Sequence, residues 1–226
     1  MKYIYHHWGL GDHIICNGMV RHYYEKDNNI RLFCNKRNVT NIEYMYRDLN
    51  KIELFPFDYD IQCVKYIKEN CIENDLIKIG HERCSPNFNI PFDMDFYRIA
   101  GLDFSIRFNK FYIKRDHEKE DEVFNSLNPN NEKYIFIHDD PSKGYIINTS
   151  RINANYKIIH NDMRFLVFNY IKLIEMAEEV HFMQSSFKEL ICSYTLKKPK
   201  LYQHNYVRNY NAYMNSVGLN KIIEIN

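Results

Sequence analysis

Short apolar runs alternate along the chain with longer stretches in which apolar residues recur every three or four positions. In the first half, the short runs predict strands at residues 3–5, 30–34, 52–55 and 76–79. The longer stretches predict helices at residues 13–26, 38–50, 60–70 and 93–100. Strands that alternate with helices of this length are typical of a parallel sheet with crossover helices. The first half is therefore predicted to be a Rossmann-like domain.

The second half repeats this pattern, with strands predicted at 133–138, 156–160, 180–183 and 200–204 and helices at 165–178 and from 185 onward. Between the halves, a short strand from residue 111 passes into a charge-dense helix that ends near residue 127, where a linker is expected. We expect domains at residues 1–115 and 116–226, with residues 205–226 packing back across both. The predicted fold class is α/β, with two small Rossmann-like domains facing each other across a cleft.

The first strand runs into the turn Gly9-Leu-Gly-Asp12, which opens the first helix. Gly9 and Gly11 permit positive φ and a close approach of the backbone. A dinucleotide fingerprint would need glycine where the chain has Ile14, and no lysine followed by Ser or Thr completes a P-loop. Two roles stay open for Asp12: it can cap the helix, or it can accept a proton from a substrate hydroxyl.

Composition and charge exclude several classes of protein. The 226 residues carry a net charge of +1, which gives no general case for binding nucleic acid or an anionic membrane. No apolar run approaches the ~18 residues of a membrane span, so we expect a cytosolic protein and leave peripheral membrane association open. The six cysteines form no C-x-x-C pair and fit reduced core thiols better than disulfides or a zinc site.

Histidines near the first turn and after the fourth strand are further candidates. His6 and His7 would point to opposite faces of a strand, and no carboxylate or thiol spacing completes a metal set, so no metal is expected. His81, Glu82 and Arg83 follow the strand at 76–79, where the carboxyl edge of such a sheet binds ligands. A solvated loop is the alternative for these three residues.

The loop after the strand at 133–138 carries groups suited to an anion. Lys143 lies between Ser142 and Gly144, so an ammonium and a backbone open to close approach could meet one phosphate. Asp139 and Asp140 would oppose a phosphate, and could instead bind sugar hydroxyls or hold the lysine in place. The loop is therefore a candidate diphosphate site.

A second candidate for the same anion is the helix that Ser185 and Ser186 open. Unpaired backbone N–H groups at a helix start favour a phosphate. Ser186 and Glu189 are also spaced as a capping box, which would satisfy those N–H groups without a ligand. Both interpretations stay open, since a cap and a phosphate site can coexist.

The N-terminal motif resembles that of a known family. His6-x-x-Gly-Leu-Gly-Asp-His-Ile-Ile15, followed by a helix with Arg21, is similar to the N-terminal signature of GT-B glycosyltransferases of the heptosyltransferase, family 9 type. In that family the Gly-Leu-Gly-Asp turn opens the acceptor domain, and its aspartate is the proposed catalytic base. The resemblance implies that Asp12 is the base, and we place the following on the acceptor side: His6, His7, Gly11, His81 and Glu82.

The second half strengthens the resemblance. Residues 136–144, 160–162 and 168–187 look like the nucleotide-sugar half of GT-B transferases, and the last of these stretches also resembles the donor region of fucosyltransferase-like enzymes. In heptosyltransferases, a lysine after the first strand of this half and a small-residue turn bind the donor diphosphate. The resemblance implies donor-binding roles for Lys143, Ser185 and Ser186, and we place Ser142, Gly144 and His160 in the same donor site.

The sequence thus predicts a glycosyltransferase with an acceptor-side first domain and a donor-binding second domain. Its substrates would be a nucleotide-diphosphate sugar and a glycan or lipid-linked glycan. Neither a cofactor, a metal nor a nucleic-acid partner is expected. The alternative is a non-catalytic nucleotide- or glycan-binding module, because a fold does not fix a function.

Overall fold

The chain forms two compact units in a computed structural model that describes residues 1–71, 73–80, 90–152, 155–208 and 216–226. The first unit comprises Met1–Lys114 and Tyr213–Val217, and the second comprises Arg115–Ala212 and Gly218–Asn226. Each unit contains its own β-sheet. The main division between the units falls after Lys114.

The first unit is built on a four-stranded parallel sheet. Its strands are β1 (Lys2–Tyr5), β2 (Ile30–Asn35), β3 (Ile52–Phe57) and β4 (Leu76–Lys78). The order is β3-β2-β1-β4, and each neighbouring pair is parallel. The predicted parallel sheet is confirmed, and β1 lies inside it rather than at an edge.

Helices connect these strands and complete the unit. They are α1 (Leu10–Ile15), α2 (Asn17–Asp27), α3 (Val39–Tyr46), α4 (Asp60–Asn70), α5 (Phe92–Ile99) and α6 (Ile106–Asn109), with 3₁₀ turns at Lys36–Asn38 and Glu73–Asp75. The prediction for α4 is confirmed. The single helix predicted at 13–26 is wrong, because the backbone of Cys16 (ψ −1°) separates α1 from α2.

A buried ion pair holds the later helices of the first unit together. Asp93 of α5 pairs with Arg107 of α6, and both side chains are fully buried. The Asp93 carboxylate also accepts a hydrogen bond from the backbone N–H of Val217 at 3.0 Å. Gly18 of α2 lies directly against the carbonyl of Ile106, so that a Cβ there would overlap backbone atoms. These contacts fix α2, α5 and α6 against one another.

The strand predicted from residue 111 is wrong. Residues 111–116 adopt neither helix nor strand. The backbone N–H of Tyr112, which a strand would offer to a neighbouring strand, donates instead to the side chain of Asn17 at 3.0 Å. A tertiary contact thus replaces the predicted secondary structure.

The second unit is built on a five-stranded parallel sheet. Its strands are β5 (Tyr134–His138), β6 (Lys157–His160), β7 (Glu179–Phe182), β8 (Lys200–His204) and β9 (Ile222–Ile225). The order is β6-β5-β7-β8-β9. All five residues of β5 are buried, as expected for a strand covered on both faces. The prediction that β8 is the last strand is wrong, since β9 pairs beyond it.

Among its described residues, the second unit has the helices α7 (His117–Leu127), α8 (Ile171–Met176) and α9 (Ser186–Ser193), with 3₁₀ turns at Pro141–Lys143, Thr149–Arg151 and Val167–Tyr170. The long helix predicted at 165–178 is wrong. The Tyr170 hydroxyl accepts from the Asp162 N–H at 2.7 Å and donates to the Asp162 carbonyl at 2.6 Å. This double contact anchors the 3₁₀ turn from which α8 begins.

The charge-dense segment is only partly a solvated face. Glu120 of α7 is fully buried and pairs with Arg115, which also donates to Glu175 at 2.9 Å.

The five cysteines in the described part of the chain are free, and four of them are buried. Within that same part, no helix is long and apolar enough to cross a membrane.

Candidate functional site

Each sheet has a point where the chain turns from one side of its first strand to the other. In the first unit β1 lies between β2 and β4, and in the second β5 lies between β6 and β7. Parallel α/β sheets bind ligands outside the carboxyl ends of the strands at such points. The loops after β1, β4, β5 and β7 are therefore the candidate sites. The predicted residues that the structure describes lie in the loops after β1, β5 and β7, in the first turns of the helices that follow β1 and β7, and at the end of β6.

The turn after β1 presents the carboxylate of Asp12. Gly9, with φ −63°, is the residue that caps α1, and Asp12 is the third residue of that helix, so the prediction of Asp12 as the cap is wrong. A Cβ on Gly9 would lie 2.5 Å from Asp12 Oδ2. The negative φ of Gly9 shows that no left-handed backbone is required here, and the absence of a Cβ leaves room for the half-buried carboxylate at the helix start.

Two buried histidines flank this turn. The ring of His6 lies edge-on to the ring of His13, with centroids 4.3 Å apart, and both residues are fully buried. His6 Nδ1 is 2.6 Å from the carbonyl oxygen of His7. Within the described residues, neither ring nitrogen of His13 has a hydrogen-bond partner. Burial and then the neighbouring His6 lower the pKa of His13 well below its usual value, so this imidazole is neutral. His13 was not among the residues predicted for the site.

His7 occupies the space between the ends of β1 and β4. Its ring stacks on Phe96 with centroids 5.5 Å apart. It lies over Gly80, whose φ of +76° and lack of a Cβ leave room for the ring. The other predicted acceptor-side residues of this edge, His81 and Glu82, lie outside the described residues, as does Arg83.

In the loop after β5, Asp140 organises the residues predicted to bind the donor. Its carboxylate accepts from Lys143 Nζ at 2.6 Å and from Ser142 Oγ at 2.5 Å. Its backbone pairs in both directions with Tyr145, and Gly144 closes the turn with φ +74°. The Lys143 ammonium, then Ser142, lowers the pKa of Asp140. Of the two roles considered for this aspartate, holding the lysine in place is confirmed.

His160, at the end of β6, joins the same loop through Asp139. His160 Nδ1 lies 3.3 Å from the buried Asp139 carboxylate, which raises the pKa of the half-exposed imidazole against the opposing effect of partial burial. The backbone N–H of Asp139 donates to Asn161 at 3.0 Å. The structure thus brings His160 together with the loop that contains Ser142 and Lys143.

A histidine that was not predicted from the sequence links this loop to the next. His138 is the last residue of β5, and its ring stacks on Phe187, near the start of α9, with centroids 3.9 Å apart. Burial lowers its pKa to about 4, and its Nδ1 has no hydrogen-bond partner among the described residues. Only the pairing of β5 with β7 brings the two residues together, so no local motif could reveal them.

Ser185 and Ser186 lie at the start of α9, after β7. Ser185 is the capping residue, and its hydroxyl donates to the Met183 carbonyl at 3.2 Å instead of capping the helix. The predicted capping box of Ser186 and Glu189 is wrong, because the helix begins one residue earlier than that motif requires. Of the two interpretations, the capping box is therefore excluded, and the Ser185 hydroxyl has a protein partner in the Met183 carbonyl.

No set of metal ligands stands out in the described part of the chain. There, no group of three or more His, Cys, Asp or Glu side chains is placed to hold a metal ion. The polar groups of the candidate sites are instead paired carboxylates and cations, imidazoles and serine hydroxyls.

Two solved glycosyltransferase structures show where this architecture has been seen before. Heptosyltransferase II of E. coli, described as an ADP-heptose lipopolysaccharide enzyme, matches with a TM-score of 0.57 and 9% identity, over 100% of this chain and 90% of that one. A glycosyl transferase family 9 protein from Veillonella parvula matches with a TM-score of 0.58 and 8% identity, over 99% and 85%. The chain has a GT-B, family 9-like glycosyltransferase fold.

This confirms the predicted fold class of two parallel-sheet α/β domains. No protein-family model matches the sequence, and no curated protein matches it. With identities below 10%, the likeness to the solved GT-B structures concerns the fold.

The contact between Gly80 and His7 predicts a specific cost of substitution. Gly101 has a similar φ of +66° but has no atom within 4 Å of the place that a Cβ would take, so Gly101→Ala tests backbone strain alone, at about 1–2 kcal/mol. Gly80→Ala adds overlap with the His7 ring and should lower the free energy of unfolding by a further ~1 kcal/mol or more. Urea denaturation measures both, and equal losses would contradict the close contact.

The buried His138 predicts a loss of stability in acid. Its folded pKa of about 4 lies below the unfolded value of 6.5, so the unfolded chain binds more protons between these two pH values. Stability should therefore fall as the pH is lowered through this window, by about 3 kcal/mol for this group. His138→Gln should flatten the dependence of the unfolding free energy on pH, whereas His117→Gln, on an exposed residue of α7, should not. An unchanged slope in His138→Gln would refute this assignment.

Proposed function

We propose that this protein is a glycosyltransferase that moves a sugar from a nucleotide-diphosphate donor to a hydroxyl of a glycan or lipid-linked glycan. The observation that carries the proposal is the match of the whole chain to two glycosyltransferase folds, together with an aspartate in the first turn of the helix that follows β1. We further propose that the enzyme acts in the cytoplasm without a metal ion.

Asp12 is the proposed general base, which takes the proton from the acceptor hydroxyl as the new glycosidic bond forms. A carboxylate in the first helical turn is favoured by the helix dipole as the anion, the form that a base requires. His6, His7 and Gly11 are the proposed acceptor-side residues of the same edge, with His81 and Glu82 proposed from the sequence.

The proposed donor site comprises two loops and His160. Lys143 is two-thirds exposed although it pairs with Asp140, and an ammonium has three N–H donors, so it can contact a phosphate while keeping its carboxylate partner. Ser142, Gly144, Ser185 and Ser186 lie in these loops, and the Ser142 and Ser185 hydroxyls, which donate to Asp140 and Met183, would turn to the phosphate when it binds. His160 would supply a further proton donor. Together these groups would stabilise the charge of the departing nucleoside diphosphate.

A nucleotide- or glycan-binding module without turnover is the second candidate. The pairing of Lys143 with Asp140 favours it, because a cation that is already neutralised contributes less to a developing negative charge. Measured donor affinity without transfer or hydrolysis, across varied acceptors, would select the module over the enzyme. Full loss of activity on chelation, restored by a divalent ion, would instead contradict the metal-independent mechanism.

Thermal-shift measurements with nucleoside diphosphates test the donor site directly. A ligand that binds only the folded state, at ~100 times its dissociation constant, should stabilise the protein by about 2.7 kcal/mol. We expect such a rise in melting temperature with at least one of ADP, GDP, UDP and CDP. If none of the four raises the melting temperature, both candidate functions lose their support.

Two substitutions should separate the proposed base from the proposed donor site. Asp12→Asn keeps the size of the side chain but cannot accept a proton, so turnover should fall by ~10²–10⁴ with donor affinity unchanged. The loss of its charge at the helix start should cost no more than about 1 kcal/mol of stability. Lys143→Ala should weaken nucleoside diphosphate binding as well as the rate, since its contact acts in both ground and transition states.

Lys200→Ala is the matched control for the lysine. Lys200 is exposed in the same unit but lies at the amino end of β8, at the sheet edge opposite to the proposed site. Its removal changes the net charge equally and should leave affinity unchanged. Equal effects of the two lysine substitutions would reduce Lys143 to a general electrostatic role, and normal turnover in Asp12→Asn would exclude that residue as the base.

A further inference from the structure

A continuous chain of hydrogen bonds crosses one face of the second sheet. Glu179 Oε2 lies 3.2 Å from His181 Nε2, His181 Nδ1 lies 2.8 Å from His204 Nε2, and His204 Nδ1 lies 3.0 Å from the Tyr206 hydroxyl. The hydroxyl in turn accepts from the backbone N–H of Asn148 at 3.0 Å. The chain therefore runs from a carboxylate to a backbone amide through two imidazoles and a phenol.

The register of β7 and β8 explains this arrangement. His181 is opposite Tyr202 in the parallel pairing, and Glu179 is opposite Lys200. Because side chains on one face of a strand recur every second residue, Glu179 and His181 share a face, as do Tyr202, His204 and the position of Tyr206 beyond the strand. The series of hydrogen bonds thus passes from the amino end of β7 to the carboxyl edge of the sheet, where the donor-site loops lie.

The direction of each hydrogen bond in this chain follows from the chemistry of its ends. A carboxylate only accepts, so His181 carries its proton on Nε2 and offers the lone pair of Nδ1. His204 must then donate from Nε2, which leaves its Nδ1 to accept from the Tyr206 O–H. Burial lowers the pKa of His181 against the opposing effect of Glu179, which agrees with a neutral ring. The Tyr206 oxygen is thereby left as the acceptor for Asn148.

Asn148 ends the loop that contains the proposed donor-binding lysine. Within that loop, Asp140 and Tyr145 pair through their backbones, and the N–H of Ile147 approaches the Asp139 carboxylate at 3.4 Å. The hydrogen bond from the Asn148 N–H to the Tyr206 hydroxyl then connects this loop to the segment that follows β8.

The same segment also reaches the turn after β7. Arg208 donates to the Gln184 carbonyl at 3.0 Å, and its guanidinium lies 5.5 Å from the centre of the Tyr145 ring. Asn205, at the base of the segment, donates through its side chain to Glu224 at 3.2 Å and to Asn226 at 3.0 Å. One short segment, 205–208, therefore contacts both loops of the proposed donor site and is itself anchored to β9.

We propose that Tyr206 is a positioning residue of the donor site, and that Glu179, His181 and His204 orient its hydroxyl to hold the loop at Asn148. The proposal rests on the donor role proposed above for that loop. Tyr206 acts through Asn148 and not on the donor itself. Its contribution is to keep the Lys143 turn in one place before the nucleotide arrives, which lowers the ordering cost of binding.

The donor and acceptor direction of these hydrogen bonds can be measured in the unmodified protein through the tautomers of the two histidines. Long-range ¹H–¹⁵N correlation spectra at neutral pH should show both His181 and His204 as Nε2–H tautomers. Glu179→Leu removes the acceptor that fixes the first ring, so the tautomers should change and the Asn148 amide should exchange its hydrogen faster. Glu179→Gln keeps an acceptor oxygen and should restore both properties, which a merely space-filling side chain would not do.

The loop and the affinity are tested with Tyr206→Phe, which removes only the hydroxyl. Hydrogen exchange of the Asn148 amide should accelerate, and the affinity for the tightest-binding nucleoside diphosphate should fall about two- to tenfold, the usual range for one hydrogen bond. Tyr202→Phe is the matched control, because its ring also stacks on His181, at 4.6 Å, but its hydroxyl lies outside the chain. It should change neither quantity.

The outcomes separate this proposal from the proposed function. An Nδ1–H tautomer at either histidine, or unchanged Asn148 exchange in Tyr206→Phe, overturns the positioning role. Faster exchange with undiminished nucleotide affinity overturns its connection to the donor site. If the wild-type protein binds no nucleoside diphosphate, the proposed function fails, while the tautomers and the exchange rates still decide whether Tyr206 holds the loop.

Discussion

The position of β1 and β5 inside their parallel sheets is the constraint on which the candidate sites depend. Neighbours pair on both sides of each strand, so the chain must leave its carboxyl end beside the end of another strand. In the first unit this places His7 over Gly80, and in the second it places His138 on Phe187. Burial on both faces fixes the position of β5, and the pairing of each strand on both sides fixes where the following loop begins.

The charges at the second of these edges are arranged in pairs of opposite sign. Asp140 holds Lys143, and Asp139 holds His160. In each pair the cation is exposed and the carboxylate is buried, so full removal of the cation would leave a buried charge unpaired, and a phosphate would have to share the cation with its carboxylate. The carboxylates would restrict the motion of the cations before binding, and they would disfavour anions that approach anywhere except the open side of each cation.

The strands are predicted well from the sequence because period and β-branched composition are local signals, and most strand positions agree within one or two residues. Helix ends are missed where the backbone or a contact outside the helix decides them, as at Cys16 between α1 and α2 and at Tyr170, whose hydroxyl bonds to Asp162 before α8 begins. Loops at the carboxyl edges can be predicted, since they follow directly from the strand order. The pairing of Lys143 with Asp140 is one of two interpretations that the sequence allows, and the structure selects it.

The hydrogen bond between His181 and His204 could not be predicted from the sequence. Glu179 and His181 lie two residues apart on β7, and Tyr202, His204 and Tyr206 follow the same spacing on and beyond β8. The part of the hydrogen-bonded series on each strand is therefore visible in the sequence as a period of two. Joining the halves requires the register between β7 and β8, because a slip of one residue would turn one set to the opposite face. Since register is fixed by the packing of the whole sheet, a hydrogen-bonded chain across two strands arises only at the level of tertiary structure.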